Sequence, residues 1–158
     1  MILKSREIIT LSMFICCCLI FLPKASAFEI KKVTSTNGIK AWLVEDHKNP
    51  LITLQFVAKG GASADPKDKN GLAYLVSGLL DEGAGDLDSE SFQALLEKNS
   101  ISLSFNARMD TFSGTLTTLT ETKKEAFRSL RLALTVPRFD KEPVSRVKSQ
   151  ILAGLRAS

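Results

Sequence analysis

The sequence is poor in residues that bind metals or form disulfide bonds. Its three cysteines are adjacent, at positions 16–18, and its only histidine is His47. Beyond position 18 the chain has no thiol, which excludes a disulfide framework and a thiolate metal site there. One histidine cannot by itself supply a typical zinc site, and in a polar loop it is most often a solvated turn residue.

Neither sign of charge dominates the chain. Twenty-one Lys and Arg residues stand against 17 Asp and Glu residues, a formal net charge of +4 at pH 7, and the two signs are mixed along the sequence. A nucleic-acid-binding domain usually concentrates basic residues on one face. The composition therefore predicts no nucleic-acid partner.

The longest apolar run is too short for a typical membrane-spanning helix. It covers residues 8–22, follows Lys4 and Arg6, and precedes Ala25-Ser26-Ala27. A positive segment, a short apolar run and an A-x-A site together form the pattern of a secretory signal peptide, whereas a spanning helix needs about 20 apolar residues. We predict a periplasmic or secreted protein, cleaved after Ala27 and without a stable membrane anchor; the alternative is that residues 1–27 are retained as an anchor.

The remainder, residues 28–158, is predicted to form a single domain that begins with three strands. Residues 28–34 and 39–45 flank Asn37-Gly38, a strong hairpin turn signal, and residues 51–59 alternate apolar with polar side chains. A glycine-bearing surface loop, residues 60–70, follows them.

The second part of the domain contains two strands and the remaining helices. Asp88 or Ser89 caps a helix, residues 101–109 and 111–120 form a hairpin that extends the first sheet, and a last helix begins near Asp140. A capping box, Thr122-Lys123-Lys124-Glu125, opens a helix with an inward stripe of Ala126, Phe127, Leu130 and Leu134. The order βββ-αα-ββ-αα predicts an α+β layer sandwich, with helices packed on a mainly antiparallel sheet.

The first helix is predicted over residues 71–83 and has two distinct faces. Its apolar face consists of Leu72, Leu75, Val76, Leu79 and Leu80. The opposite face carries Tyr74, Ser77, Gly78 and Asp81. Spacing of i, i+3 and i+4 brings three side chains together on one face of a helix.

This stretch resembles the signature helix of the insulinase-like zinc metallopeptidases, the family that includes pitrilysin and the mitochondrial processing peptidase. Their pattern is G-x-A-H-x-x-E-H-x-x-x-x-G, in which two His bind zinc and the Glu is the general base. Gly71, Ala73 and Gly83 match its framework. The first His, the Glu and the second His fall on Tyr74, Ser77 and Gly78, which are thus degenerate site positions.

The resemblance implies that the chemistry has been lost. A phenol is a poor zinc ligand at neutral pH, a serine is not a carboxylate base, and glycine has no side chain. The family's third ligand is a Glu on the last helix, but residues 145–154 contain no acid. We therefore expect no catalytic residue, no metal and no cofactor. Because family members are several times longer, we also expect a truncated N-terminal domain of a catalytically degenerate bacterial paralogue.

Several functions are compatible with this resemblance. The favoured one is a non-catalytic domain that supports an active zinc metallopeptidase paralogue in a periplasmic hetero-oligomer, with a peptide as a further partner. One alternative is a stand-alone exported binding module that uses an exposed sheet edge, as family members do when a strand bonds to an extended substrate. A gene remnant without function is another. An active zinc metalloendopeptidase is the least favoured.

Overall fold

The structure is a computed structural model that describes residues 28–157. The signal-peptide pattern, its cleavage site and the three cysteines lie outside these residues, so export from the cytoplasm stays a prediction. The chain divides into two compact units, one ending at His47 and the other beginning at Lys48. No helix within residues 28–157 is long and apolar enough to cross a membrane.

In the described part of the unit that ends at His47, β1, Ile30–Thr34, and β2, Lys40–Val44, form an antiparallel hairpin. Gly38 has a φ of +82°, and its N–H donates to the carbonyl oxygen of Ser35 at 2.9 Å. Glycine adopts such a φ without steric cost, which explains why the chain turns here. The predicted hairpin is confirmed. His47 follows it as an exposed residue.

The second unit is built on a three-stranded antiparallel sheet. Its strands are β3, Leu51–Lys59, β4, Ser102–Ala107, and β5, Thr111–Leu119, and their spatial order is β3-β5-β4. The β4–β5 hairpin is confirmed, and β5 pairs with β3 along its whole length. We expected the β4–β5 hairpin to extend the sheet that contains β1 and β2. This expectation is wrong as regards backbone hydrogen bonding, because among the described residues β1 and β2 pair only with each other. The strand that bonds to β3 is the distant β5, a pairing that strand order along the chain does not reveal.

The helices of the second unit follow the predicted order. They are α1, Leu72–Ser77, α2, Ser89–Lys98, α3, Lys123–Thr135, and α4, Lys141–Ala157, with a 3-10 turn at Ala62–Ala64. The order βββ-αα-ββ-αα and the α+β class are confirmed. The length predicted for the first helix is wrong, because α1 ends at Ser77 with Gly78 as its C-cap, and residues 78–81 form turns.

The core of the second unit lies between the sheet and the helices. Phe92 of α2 and Leu116 of β5 are its largest apolar side chains with no exposed surface. The rest of the buried cluster comes from the same helix and sheet, from α3, and from the turn after α1: Ala84, Leu96, Ile101, Leu103, Ala126, Leu130 and Ala133. Burial of each large apolar side chain contributes roughly 1.5–3 kcal/mol to the free energy of folding, so this cluster stabilises the packing of the helices on the sheet.

Two predictions about α3 are wrong. Phe127 and Leu134 are 43% and 41% exposed, because Ala126, Ser129, Leu130 and Ala133 form the face that packs inward. These mostly small side chains let the helix approach the sheet closely.

The predicted capping box of α3 is absent. The hydroxyl of Thr122 lies 2.9 Å from that of Thr118 and makes no capping bond to the helix. Glu125 instead pairs with Arg128 at 3.1 Å. The Thr122 hydroxyl, which the local pattern assigned to the helix end, therefore pairs with the buried Thr118 instead.

The loop after β3 crosses the β4–β5 turn in close contact. The N–H groups of Gly60, Ala62 and Ser63 donate to the carbonyl oxygens of Asp110, Arg108 and Met109 at 2.8–3.0 Å. Gly61 lies between them and is buried. A β-carbon at Gly61 would overlap the carbonyl oxygen of Arg108, so only glycine fits. The predicted surface loop is therefore anchored at its start.

Candidate functional site

The second unit contains a cavity of about 770 Å³ between α1, β4 and α4. Residues of the turn after α1 complete its wall. The lining residues are Gly71, Tyr74, Ser77, Gly78, Asp81, Glu82, Ser104, Phe105, Asn106, Val147, Gln150, Ile151, Gly154 and Leu155.

The loop before α1 positions the helix. The two carboxylate oxygens of Asp65 accept hydrogen bonds from the N–H groups of Gly71 at 2.8 Å and Ala73 at 2.9 Å. These N–H groups would otherwise lack partners at a helix start. Sequence analysis assigned Asp65 only to a loop, because it lies several residues before the usual capping position. The sequence did offer one signal for this role, since Asp65 is an acidic residue in the loop that leads into the signature helix.

The three degenerate positions all line this cavity. Tyr74 is half-exposed. Ser77 is only 4% exposed, and its hydroxyl donates to the carbonyl oxygen of Tyr74 at 2.8 Å. A β-carbon on Gly78 would lie 3.1 Å from Cγ1 of Val147 in α4. The position of the second His is therefore without a side chain and closely approached by the neighbouring helix.

The segment that resembles the family's third-ligand helix also reaches the cavity, through α4. Val147, Gln150, Ile151 and Gly154 line it, and none carries a carboxylate. Gln150 is the polar residue among them, but an amide is a weaker zinc ligand than a carboxylate or an imidazole.

A zinc ion does not fit this set of side chains. The signature positions and Gln150 supply a phenol, a buried hydroxyl that is already hydrogen-bonded, no side chain and an amide, and the two carboxylates of the lining, Asp81 and Glu82, are too few to complete a zinc site. Within residues 28–157, no group of three or more His, Cys, Asp or Glu residues could hold a metal ion. No chemical step can be derived through zinc here.

Two acidic residues in the turn after α1 also line the cavity, and sequence analysis gave them no role. Glu82 accepts hydrogen bonds from Arg146 of α4 at 2.6 Å and from Ser89 at 2.5 Å. Burial acts to raise the pKa of Glu82, but these hydrogen bonds and the Arg146 charge outweigh it, so its pKa is lowered. Arg146 also lies 3.4 Å from Glu142. The ion pair between Arg146 and Glu82 connects α4 to the turn after α1.

Asp81 differs from its neighbour because it makes no ion pair with any residue of the described range 28–157. Burial raises the pKa of Asp81, the Glu82 charge acts in the same direction, and its own backbone hydrogen bond and Arg146 offset them only in part. Its backbone is held in place, since Gln93 donates to its carbonyl oxygen at 2.9 Å. Sequence periodicity placed Asp81 on the polar helix face, and only the folded structure shows its partial burial.

The edge of β4 supplies backbone groups to the same cavity. Arg108 donates its N–H to the carbonyl oxygen of Thr111 at 2.8 Å. Because bonding alternates along an antiparallel pair, the Asn106–Ser113 and Ser104–Thr115 pairs also bond, and Phe105 does not bond to β5. The N–H and C=O of Phe105 thus point away from β5, at an edge of the three-stranded sheet.

The Glu82–Arg146 pair leads to a first testable prediction. We expect Arg146→Met to lower the free energy of unfolding at pH 7 by about 1 kcal/mol, because the pair is partly exposed. Because the pKa of Glu82 is lowered from its ordinary value of 4.5, its carboxylate contributes its full stabilisation when the pH is above 4.5. This contribution is lost as the pH falls through the pKa that Glu82 has in the folded state.

Urea denaturation of the wild type and the variant at pH 7 and at pH 3 measures this effect. Lys148→Met is the matched control, since it removes an exposed positive charge from the same helix. An equal loss at both pH values, or an equal loss in the control, would contradict the proposed role of the ion pair.

Comparison with solved structures places the fold beside known peptidase domains. The crystal structure of an inactive peptidase M16 domain from Pseudomonas fluorescens matches with a TM-score of 0.73 at 23% identity, over 81% of this chain and 31% of that chain. Pitrilysin matches with a TM-score of 0.69 at 20% identity, over 84% of this chain and 14% of that chain. These likenesses show the shared fold.

Sequence comparison agrees. The non-peptidase homologue YmxG of Helicobacter pylori, strain ATCC 700392 / 26695, is 34% identical over 111 residues, which is 70% of this chain. The match spans about a quarter of that relative, 26% of its length. The family model for insulinase, peptidase family M16, matches residues 40–157. This protein therefore belongs to the insulinase family of peptidases, family M16.

Proposed function

We propose that this protein is a non-catalytic member of the insulinase family that supports an active zinc metallopeptidase paralogue. One observation carries the proposal. The cavity unites α1 with α4, the two helices that resemble the family's metal-binding helices, yet its lining offers Tyr74, Ser77, Gly78 and Gln150 in place of a ligand set. Without a ligand set for zinc, the cavity lacks the metal with which the family's peptidases would activate water.

The relatives support this proposal by their own descriptions. The 34% identical relative is called a non-peptidase homologue, and the Pseudomonas fluorescens structure is an inactive domain. The signal-peptide pattern of residues 1–27 supports placing this protein in the periplasm.

A second candidate function is favoured by the edge of β4. In a stand-alone binding module, the outward N–H and C=O of Phe105 would bond to an extended peptide within the cavity, without a partner subunit. The two candidates differ in whether a paralogue is required, so one experiment separates them.

The deciding measurement is affinity purification of the full chain, tagged at its C-terminus and expressed in the cells that encode it. We expect near-equal recovery of a paralogue that carries an intact H-x-x-E-H helix and binds zinc. We also expect the tagged protein in the periplasmic fraction with Phe28 as its first residue.

Untagged cells serve as the control for non-specific recovery. Recovery of a soluble, cooperatively unfolding monomer without a zinc-binding partner would contradict the subunit proposal and favour the binding module. An N-terminus at Met1 in the membrane fraction would contradict the predicted location.

A further inference from the structure

The hairpin of β1 and β2 has two chemically different faces. Residues that oppose each other in an antiparallel pair have side chains on the same side of the ladder, and the side alternates along each strand. One side carries the pairs Ile30–Val44, Lys32–Trp42 and Thr34–Lys40, and we call it the Trp42 face. The opposite side carries the pairs Lys31–Leu43 and Val33–Ala41.

The Trp42 face presents a large apolar surface to solvent. Trp42 is 79% exposed, Ile30 is 64% exposed and Val44 is 49% exposed. Scattered exposed apolar residues are ordinary, but a contiguous exposed patch marks a site of interaction with a protein or a membrane. Indole rings are also enriched at membrane–water interfaces, because one part of the ring system is apolar and its N–H is polar.

The same face carries positive charge that the described residues do not neutralise. Lys32 stands directly opposite Trp42, and Lys40 lies two residues before it on β2. Neither lysine makes an ion pair within residues 28–157, whereas Lys31 on the opposite side pairs with Glu45 at 2.8 Å. The two strands contain no acidic residue. The acidic residues adjoining them lie beyond the strand ends, at Glu29, Glu45 and Asp46.

This combination fits the surface of an anionic lipid bilayer better than it fits a protein. An acidic peptide would pair with Lys32 and Lys40 but has no apolar layer for Trp42. An apolar protein surface would cover Trp42 but would also bury two unpaired ammonium groups, which is costly. In a bilayer interface, lysine stems lie along apolar groups while the ammonium groups reach the phosphates, and an indole lies at the level of the headgroups.

We propose that the Trp42 face binds the surface of an anionic phospholipid membrane. Trp42, Ile30 and Val44 enter the interface between headgroups and acyl chains, and Lys32 and Lys40 contact the phosphates. Two lysines and a few apolar side chains give reversible, salt-dependent binding and not a stable anchor. This interaction goes beyond the proposed support of a paralogue, because it concerns where the protein is held and not what its cavity does.

The fluorescence of Trp42 tests the proposal directly, because this residue is the only tryptophan in the chain. The full chain is expressed, and the exported protein is mixed with vesicles of phosphatidylcholine that contain about one-third phosphatidylglycerol. We expect the emission to shift to shorter wavelengths and to be quenched by lipids brominated near the headgroup. Cosedimentation should show about tenfold tighter binding than to pure phosphatidylcholine vesicles. Sodium chloride at about 0.5 M should remove this difference.

Lys32→Gln combined with Lys40→Gln should reduce binding to the level measured with phosphatidylcholine alone. The matched control is Lys124→Gln combined with Lys148→Gln, which removes two exposed lysines from α3 and α4 and should leave the tenfold preference unchanged. The two double variants have the same net charge, so a difference between them reports the position of the lysines. If residues 1–27 are retained, all variants carry the same segment and this comparison still decides.

A second pair of variants tests the apolar contribution. Trp42→Ala should weaken cosedimentation with the anionic vesicles several-fold, because it removes the side chain that enters the interface. Phe127→Ala removes another exposed aromatic side chain, from α3, and should leave the binding unchanged.

Several results would overturn the inference. They are no binding to the anionic vesicles, an unshifted emission in vesicle-bound protein, equal binding to both kinds of vesicle, and an equal loss in the two lysine double variants. The same emission shift with polyglutamate at matched charge would overturn the membrane assignment in favour of an acidic protein partner. Copurification of a paralogue does not depend on these results, so the two proposals can fail separately.

Discussion

Gly61→Ala is expected to lower the free energy of unfolding by about 3 kcal/mol. The added methyl would overlap the carbonyl oxygen of Arg108 and would also lie 2.9 Å from that of Met109. These are backbone atoms of a hairpin turn and cannot rotate away as a side chain can. The loop would have to leave the turn, and the hydrogen bonds of Ala62 and Ser63 would break.

Gly154→Ala is the matched control for this substitution. Gly154 lies within α4, and an added β-carbon would meet no atom within 4 Å. Alanine in a helix interior is more favourable than glycine by roughly 0.5–1 kcal/mol, so the control should be slightly more stable than the wild type. Urea denaturation measures both variants, and a Gly61→Ala protein as stable as the wild type would show that the loop does not need this contact.

Restoring the family motif is expected to fail as a route to zinc binding. The triple variant Tyr74→His, Ser77→Glu and Gly78→His supplies two imidazoles and a base on one helix face, but α4 still contributes no acid to the cavity lining. The imidazole at position 78 must also displace Val147, because even a β-carbon would lie 3.1 Å from its Cγ1. We expect far less than one zinc per chain and no chelator-sensitive peptidase activity.

Two further variants separate the causes of that failure. Gly78→Ala adds only the β-carbon and should cost about 1 kcal/mol of stability if Val147 crowds the position. Adding Gln150→Glu to the triple variant supplies an acid at the cavity. One zinc per chain in the triple variant, measured by atomic emission after dialysis, would contradict our interpretation of this cavity.

Local patterns predicted most elements because their causes are local. Alternating side chains in β3 and β5, the Asn37-Gly38 turn and the Asp88 cap each depend on residues within a few positions of one another. The Asp88 carboxylate does accept the N–H of Ser91 at 2.9 Å. The order of the helices and strands follows from such signals.

Tertiary contacts overruled the local patterns where two distant segments meet. Thr122 matches the capping-box pattern, yet its hydroxyl pairs with Thr118 because the end of β5 lies beside it. Phe127 and Leu134 fit an apolar stripe, but the small residues of α3 take the inward face. Helical periodicity alone cannot decide between two possible inward faces when both contain apolar residues.

The sequence by itself determined that the signature positions carry no zinc chemistry, because Tyr74, Ser77 and Gly78 have the wrong functional groups whatever the fold. Only the tertiary structure decided what surrounds them. Glu82 and Arg146 lie 64 positions apart, yet their side chains meet at 2.6 Å. The charge left on Asp81 depends on that distant pairing, because a carboxylate's partners are set by which helices pack together and not by its neighbours in the chain.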